Sequence, residues 1–244
     1  MTIGIGFTCQ DSIVLCSERQ ITYGGSHKRY ERKIFSGGTS SWSVAFSYAG
    51  DPGMMKSVCD EFSVAMEAKA VPFTVEVIRK QIAETLLNLK APEEFYMLCG
   101  IVIPSREMKL LRTEAGRISS VVDGSFIGIA DTSILSYLYN LLAQSATGTY
   151  SARQAELIGR YVVLQAKNWI DGCGGETDVI ILRSDGRIEP SPRFPAGVEA
   201  HLAIIERHIS QLAEAFFDER ITAQDFDTRL DGFSKAIKEK RLLL

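Results

Sequence analysis

The 244-residue chain has no CxxC pair, no histidine cluster and no long apolar run, and each absence removes a class of protein. Its five cysteines, Cys9, Cys16, Cys59, Cys99 and Cys173, are odd in number and scattered, so neither a disulfide framework nor a thiolate zinc site is indicated. Cys9, Cys16 and Cys99 fall in apolar, strand-like runs, where a small buried thiol needs no chemical role. The three histidines, His27, His201 and His208, are too few and too dispersed to nominate a metal. His201 and His208 fall on one helix pattern and read as surface or packing residues. No segment reaches the roughly 18 to 20 apolar residues that span a bilayer, and the N-terminus lacks the basic start and apolar core of a signal peptide. A cytoplasmic protein without membrane contact is therefore expected. Excess positive charge is missing too: a net charge of −3 and a pI near 5.7 supply no basic field for nucleic acid. Residues 235–241 are locally positive and read as a solvated helix end.

What is present is a globular composition, 45% hydrophobic and 23% charged, enough to bury a substantial core as one large domain or two small ones. Apolar periodicity predicts a hairpin of strands over residues 2–9 and 12–20, and two more strands over 32–35 and 42–48 separated by a turn at Ser36-Gly37-Gly38-Thr39. Asp51-Pro52-Gly53 then supplies an N-cap and a first-turn proline for a helix reaching about residue 69, and a second helix is predicted from 73 or 74 to 90. Strands over 95–102, 108–113 and 125–128 follow, then helices over 132–144 and 152–169 on either side of a polar turn at 146–149. A strand over 178–182 and helices over 198–217 and 222–240 close the chain. This order lacks the βαβα alternation of a parallel sheet. It predicts an α+β protein in which two antiparallel sheets stack face to face with helices on their outer faces. We expect one domain over residues 1–190, with residues 191–244 a C-terminal helical extension packed on it.

The N-terminus carries the most specific local chemistry. Met1-Thr2 leads straight into the strand pattern Ile3-Gly4-Ile5-Gly6-Phe7. Removal of Met1, which the small Thr2 side chain permits, leaves a threonine with a hydroxyl and a free amine. With a reference pKa of about 7.7 to 8.0, that amine is partly neutral at physiological pH and can accept the hydroxyl proton as the oxygen attacks a carbonyl. Methionine before a small residue is common in chains without such chemistry, so the terminus alone does not decide.

The segments that follow carry a family resemblance. Ile13-Val14-Leu15-Cys16-Ser17-Glu18-Arg19-Gln20-Ile21-Thr22-Tyr23-Gly24 resembles the apolar strand, acidic residue, threonine and glycine of proteasome β-type subunits. Arg32-Lys33-Ile34-Phe35 resembles the segment around their catalytic lysine, and Ala45-Phe46-Ser47-Tyr48-Ala49-Gly50-Asp51 the strand whose closing glycine amide forms the oxyanion hole. Asp171-Gly172-Cys173-Gly174-Gly175, followed by Val179-Ile180-Ile181-Leu182 and Asp185-Gly186, resembles the family's late loop, strand and turn. The resemblance covers about residues 2–190. It implies the four-layer αββα sandwich of the N-terminal nucleophile (Ntn) hydrolases, a fold whose chemistry needs no metal or organic cofactor.

Carried over position by position, the resemblance makes Thr2 the nucleophile, Lys33 the cation beside its oxygen, Glu18 the partner of Lys33, and the Gly50 N–H the oxyanion donor, with Asp171 and Cys173 completing the site. Locally, Lys33 beside Arg32 and Glu18 beside Arg19 also fit ordinary exposed charges, and Gly50 the start of a helix. The resemblance further implies that alanine at Lys33 removes turnover with little change in stability. Three departures stand out: glutamate replaces the usual aspartate at 18, Gly128-Ile129-Ala130 replaces a segment that usually offers a serine to the terminal amine, and Cys173 replaces a serine. Asp131 or Cys173 could substitute. These departures resemble divergent bacterial proteasome-like proteins, such as the ancestral β-subunit group or the peptidase of the HslUV system.

The implied function is a threonine peptidase cutting peptide or unfolded-protein substrates inside a homo-oligomeric ring or spiral, with room for an ATPase partner. A non-catalytic scaffold subunit and an Ntn amidohydrolase acting on small amides remain as alternatives. The chain ends in Arg241-Leu242-Leu243-Leu244, an apolar end expected to pack against a neighbouring subunit or a partner, or else to fold onto its own subunit or fray.

Overall fold

All seven residues of the strand Ser12–Glu18 (β2) are buried, because it lies inside a sheet covered on both faces. In the computed structural model, which describes residues 2–23, 27–104, 106–114, 116–128, 150–190, 197–218 and 220–241, β2 pairs on one side with Ile3–Thr8 (β1) and on the other with Thr177–Arg183 (β11). The strands Gly124–Gly128 (β10) and Ile188–Pro190 (β12) form the edges of this five-stranded antiparallel sheet. A second antiparallel sheet runs in chain order through Ile34–Thr39 (β5), Trp42–Ala49 (β6), Tyr96–Ile103 (β7), Glu107–Glu114 (β8) and Arg117–Val121 (β9).

The two sheets meet through Leu15, Leu182 and Ile127 of the first and Ala45, Leu98 and Leu110 of the second. Strand alternation sends the next residues of β6, Val44, Phe46 and Tyr48, to the opposite face. There they pack on the helices Pro52–Glu67 (α1) and Val75–Asn88 (α2) through Met55, Phe62, Ile78 and Ile82. Phe62 stands edge-on to Phe46, with ring centroids 5.4 Å apart. The outer face of the first sheet offers Ile3, Ile5, Phe7 and Cys16 to the helix Ala152–Trp169 (α3), which contributes Ala155, Val162 and Ala166. The result is a four-layer αββα sandwich, as the element order predicts. Asp51, Thr74 and Ser151 cap α1, α2 and α3 through their side chains.

Two differences from the expected elements bear on the site. The turn expected at residues 36–39 is strand: Gly37 and Gly38 pair with Val44 and Ser43, and the chain reverses at Ser40 and Ser41. Pairing with a buried central strand overrides the local turn preference of two glycines. The strand expected over 12–20 breaks at Arg19, and Gln20–Tyr23 (β3) leaves to form a separate hairpin with His27–Tyr30 (β4). The helix expected over 132–144, the turn at 146–149, Asp131 and the three terminal leucines lie outside the described residues.

The chain divides into two units, Met1–Ser191 and Pro192–Leu244. The second consists of the helices Val198–Phe217 (α4) and Ala223–Arg241 (α5). They contact one another through His208 and Phe233, whose rings are 6.5 Å apart. Phe216 and Phe217 at the end of α4 are exposed.

Candidate active site

The break at Arg19 that ends β2 builds the site. At the last position of β2 the Glu18 carboxylate gathers three backbone donors: Oε2 accepts from the Gln20 N–H at 2.5 Å and the Gly174 N–H at 3.4 Å, and Oε1 from the Ile3 N–H at 3.4 Å. The Gly174 carbonyl takes the N–H groups of Arg19 and Gln20. These bonds satisfy the backbone that leaves the sheet, so the kink costs no orphaned donor. They also fix a carboxylate beside the first residues of β1.

Lys33, the residue before β5, enters this pocket from the second sheet. Its Nζ donates to Thr2 Oγ1 at 3.0 Å, to Glu18 Oε1 and to the Gln20 carbonyl, so each ammonium proton has an acceptor. The side chains of Lys33 and Glu18 are both 0% exposed, and Thr2 is 8% exposed. Burial lowers the Lys33 pKa and Glu18 partly restores it; burial raises the Glu18 pKa and Lys33 with the backbone donors pulls it back. The hydrogen bonds favour the ion pair: Glu18 receives only donors, and Lys33 meets only acceptors. A buried pair of this kind contributes little net stability, but losing either partner leaves the other charge desolvated.

One glycine borders Thr2, and a second follows the residue packed beside it. Gly128, the last residue of β10, has φ of 79°, and a Cβ there would lie 2.1 Å from the Thr2 carbonyl oxygen and 3.0 Å from the Ala49 methyl. No side chain fits here without moving Thr2, which accounts for glycine at this position. Ala49 ends β6, and the next residue, Gly50, is exposed with φ of 134°, a backbone state that excludes L side chains. Gly50 therefore follows directly from a residue that touches the surroundings of Thr2.

The late loop contributes unevenly. Cys173 is buried and close enough to Glu18 and Lys33 to share their field; burial and the Glu18 charge push its thiol up to about 11, so it stays protonated near neutral pH. Asp171 is exposed, and no hydrogen bond or ion pair joins it to Thr2, Lys33 or Glu18 among the described residues. Sequence reasoning missed Gln20 and Gly174, which act through backbone atoms that leave no side-chain signal. It also missed Ser17, whose buried hydroxyl donates to the Ile3 carbonyl at 2.8 Å and steadies the peptide after Thr2. Among the described residues, no group of three or more His, Cys, Asp and Glu side chains is placed to hold a metal ion.

No protein-family model matches the chain, and no curated protein matches it by sequence. Solved structures do. An Anbu Gly-1 mutant from Hyphomicrobium sp. strain MC1 superposes with a TM-score of 0.74 at 12% identity, covering 90% of this chain and 99% of that one. Anbu (ancestral beta-subunit) from Yersinia bercovieri gives 0.71 at 13% identity over 86% and 97% of the two chains. A helical assembly of the Anbu complex from Pseudomonas aeruginosa gives 0.69 at 14% identity over 87% and 95%. The chain thus has the fold of the Anbu structures, the ancestral β-subunit type of proteasome-like protein that its sequence resembles.

Proposed function

We propose that this chain is a proteasome-like peptidase in which Thr2, freed by removal of Met1, is the nucleophile. The observation that carries the reading is the contact between a fully buried Lys33 and Thr2 Oγ1 at 3.0 Å. An ammonium held there by Glu18 stabilises negative charge developing on the threonine oxygen, in a setting where water does not screen it. The Thr2 amine takes the hydroxyl proton as Oγ1 bonds to the substrate carbonyl carbon. The Gly50 N–H donates to the oxyanion, a contact worth about 3 to 4 kcal/mol in the transition state. Collapse breaks the C–N bond, the departing amine receives the proton, and an ester on Thr2 remains. Water then attacks that ester with the amine again acting as base, and the acid product and free Thr2 are restored. The helical assembly described for the Pseudomonas aeruginosa relative supports a homo-oligomer here, and the exposed Phe216 and Phe217 of the C-terminal helices offer apolar surface for it.

Thr2→Ala tests the reading. It should lower hydrolysis of a fluorogenic peptide by at least about a thousandfold, while circular dichroism stays that of the parent. A variant that hydrolyses the peptide at the parental rate would end the proposal.

Acid and base roles also set a pH profile. The amine must be neutral to accept a proton, so kcat/KM rises as pH passes its value of about 8. Lys33 must stay charged, and because burial lowers its pKa, activity falls again at a pH below that of an ordinary lysine. A rate that kept climbing to the ordinary lysine range would contradict the role of Lys33.

A further inference from the structure

Beside the candidate site, the hairpin of β3 and β4 is a strand edge with an unusual charge. Every residue of β4, His27, Lys28, Arg29 and Tyr30, is exposed, and so is Arg32, which directly precedes the buried Lys33. In a chain of net charge −3, residues 27–32 hold three permanent cations against the single carboxylate of Glu31. Glu31 pairs with Arg29 at 2.8 Å. Glu176 and Asp178, which follow the Gly175 packed under Tyr30, are both taken by Arg19. No described residue forms an ion pair with Lys28 or Arg32.

The hairpin is anchored to the nucleophile. Gln20 lies opposite Tyr30 in the register, and its carbonyl accepts from the same Lys33 Nζ that meets Thr2. Tyr30 covers the late loop: a Cβ on Gly175 would lie 2.6 Å from its ring. From Gln20 to the far end of the hairpin is three residue steps, about 10 Å of strand. β4 pairs only with β3, so its outer edge carries main-chain groups with no strand partner among the described residues. Lys28 and Arg29 are adjacent in the strand and point to opposite faces.

We infer that the outer edge of β4 docks acidic segments of the polypeptide substrate, extended as an added strand, with Lys28, Arg29 and Arg32 as the selecting residues. This rests on the peptidase reading for its substrate class and deepens it. Added-strand binding takes main-chain hydrogen bonds from the edge, and selectivity comes from side chains on alternate faces. A run of consecutive acidic residues meets a cation on each face, which a single acidic residue cannot do. Exposed pairs are each modest, so several together give roughly a tenfold preference at low salt that added salt erodes.

The test separates docking from chemistry. A labelled peptide with a run of aspartates, its asparagine counterpart and its lysine counterpart are titrated by fluorescence anisotropy against full-length Thr2→Ala chain, and then offered as substrates to the parent. The aspartate peptide should bind about tenfold more tightly than the asparagine one at low salt, and Lys28→Glu with Arg29→Glu should remove that preference and favour the lysine peptide. Lys28→Gln with Arg29→Gln, which adds no repulsion, should abolish the preference without reversing it. Equal binding of the aspartate and asparagine peptides, or a preference unchanged by the reversals, overturns the docking edge. Charge-selective binding without any hydrolysis by the parent leaves docking standing and sinks the peptidase reading instead.

Discussion

Lys33→Ala should lower kcat by about a thousandfold or more and also destabilise the fold by about 3 to 5 kcal/mol. The first effect follows from removing the cation at Thr2 Oγ1. The second follows from the 0% exposure of both charged side chains, since Glu18 is left desolvated with its cation gone. The sequence alone implied a loss of turnover with little change in stability, and burial revises that expectation. The destabilisation has a pH dependence of defined sign. Glu18 has a folded-state pKa raised above its unfolded value, and more so without Lys33. Its folded form therefore holds the proton more tightly, and stability is greatest below the unfolded value and is lost as pH rises through the raised one. Urea unfolding should accordingly show a larger deficit for Lys33→Ala at pH near 8 than at pH near 5. Lys33→Arg should not restore turnover, because a planar guanidinium cannot put a compact charge among the same three acceptors. Parental turnover in Lys33→Ala would return this residue to a structural role.

Gly128→Ala is expected to cost about a hundredfold in kcat, the scale associated with displacing a reacting group by about 1 Å. The added methyl would sit 2.1 Å from the Thr2 carbonyl oxygen, so either Thr2 or β10 must move. The φ of 79° adds strain of about 1 to 2 kcal/mol. Gly116→Ala is the matched control. Its φ is 73°, and nothing lies within 4 Å of the added methyl, so it should show the strain in a thermal melt and leave kcat unchanged. Equal kinetics for the two variants would mean that the contact with Thr2 does not matter to the chemistry.

How much of this was legible beforehand differs by element. The helix over 152–169 and the stacked sheets were readable because long amphipathic or buried patterns leave a strong period, and Asp51 announces α1 by its capping chemistry. The glycines of β5 misled, since the neighbouring strand rather than local preference decides their conformation. The hairpin of β3 and β4 was invisible because Arg19 carries no breaking signal; the break is stabilised by Gly174, far away in sequence. Within the site, the resemblance pointed to Thr2, Lys33 and Glu18, and these three side chains do meet. Glutamate in place of aspartate is no misfit here, because its extra methylene lets one carboxylate reach Lys33 and the amides of Ile3, Gln20 and Gly174 together. Backbone donors and close approaches of this kind have no residue-type signature, which is why Gln20, Gly174 and the tight fit at Gly128 emerge only in three dimensions.

The central claim is that the free amine and hydroxyl of Thr2 form the nucleophile, and intact-mass spectrometry of the purified full-length chain, alone and during turnover of a slowly hydrolysed peptide ester, tests it most directly. The account predicts a chain that lacks Met1 and carries a transient acyl group mapped by fragmentation to Thr2, absent from Thr2→Ala. A chain that keeps Met1 yet hydrolyses peptides, or an acyl group found on any other residue, would contradict it.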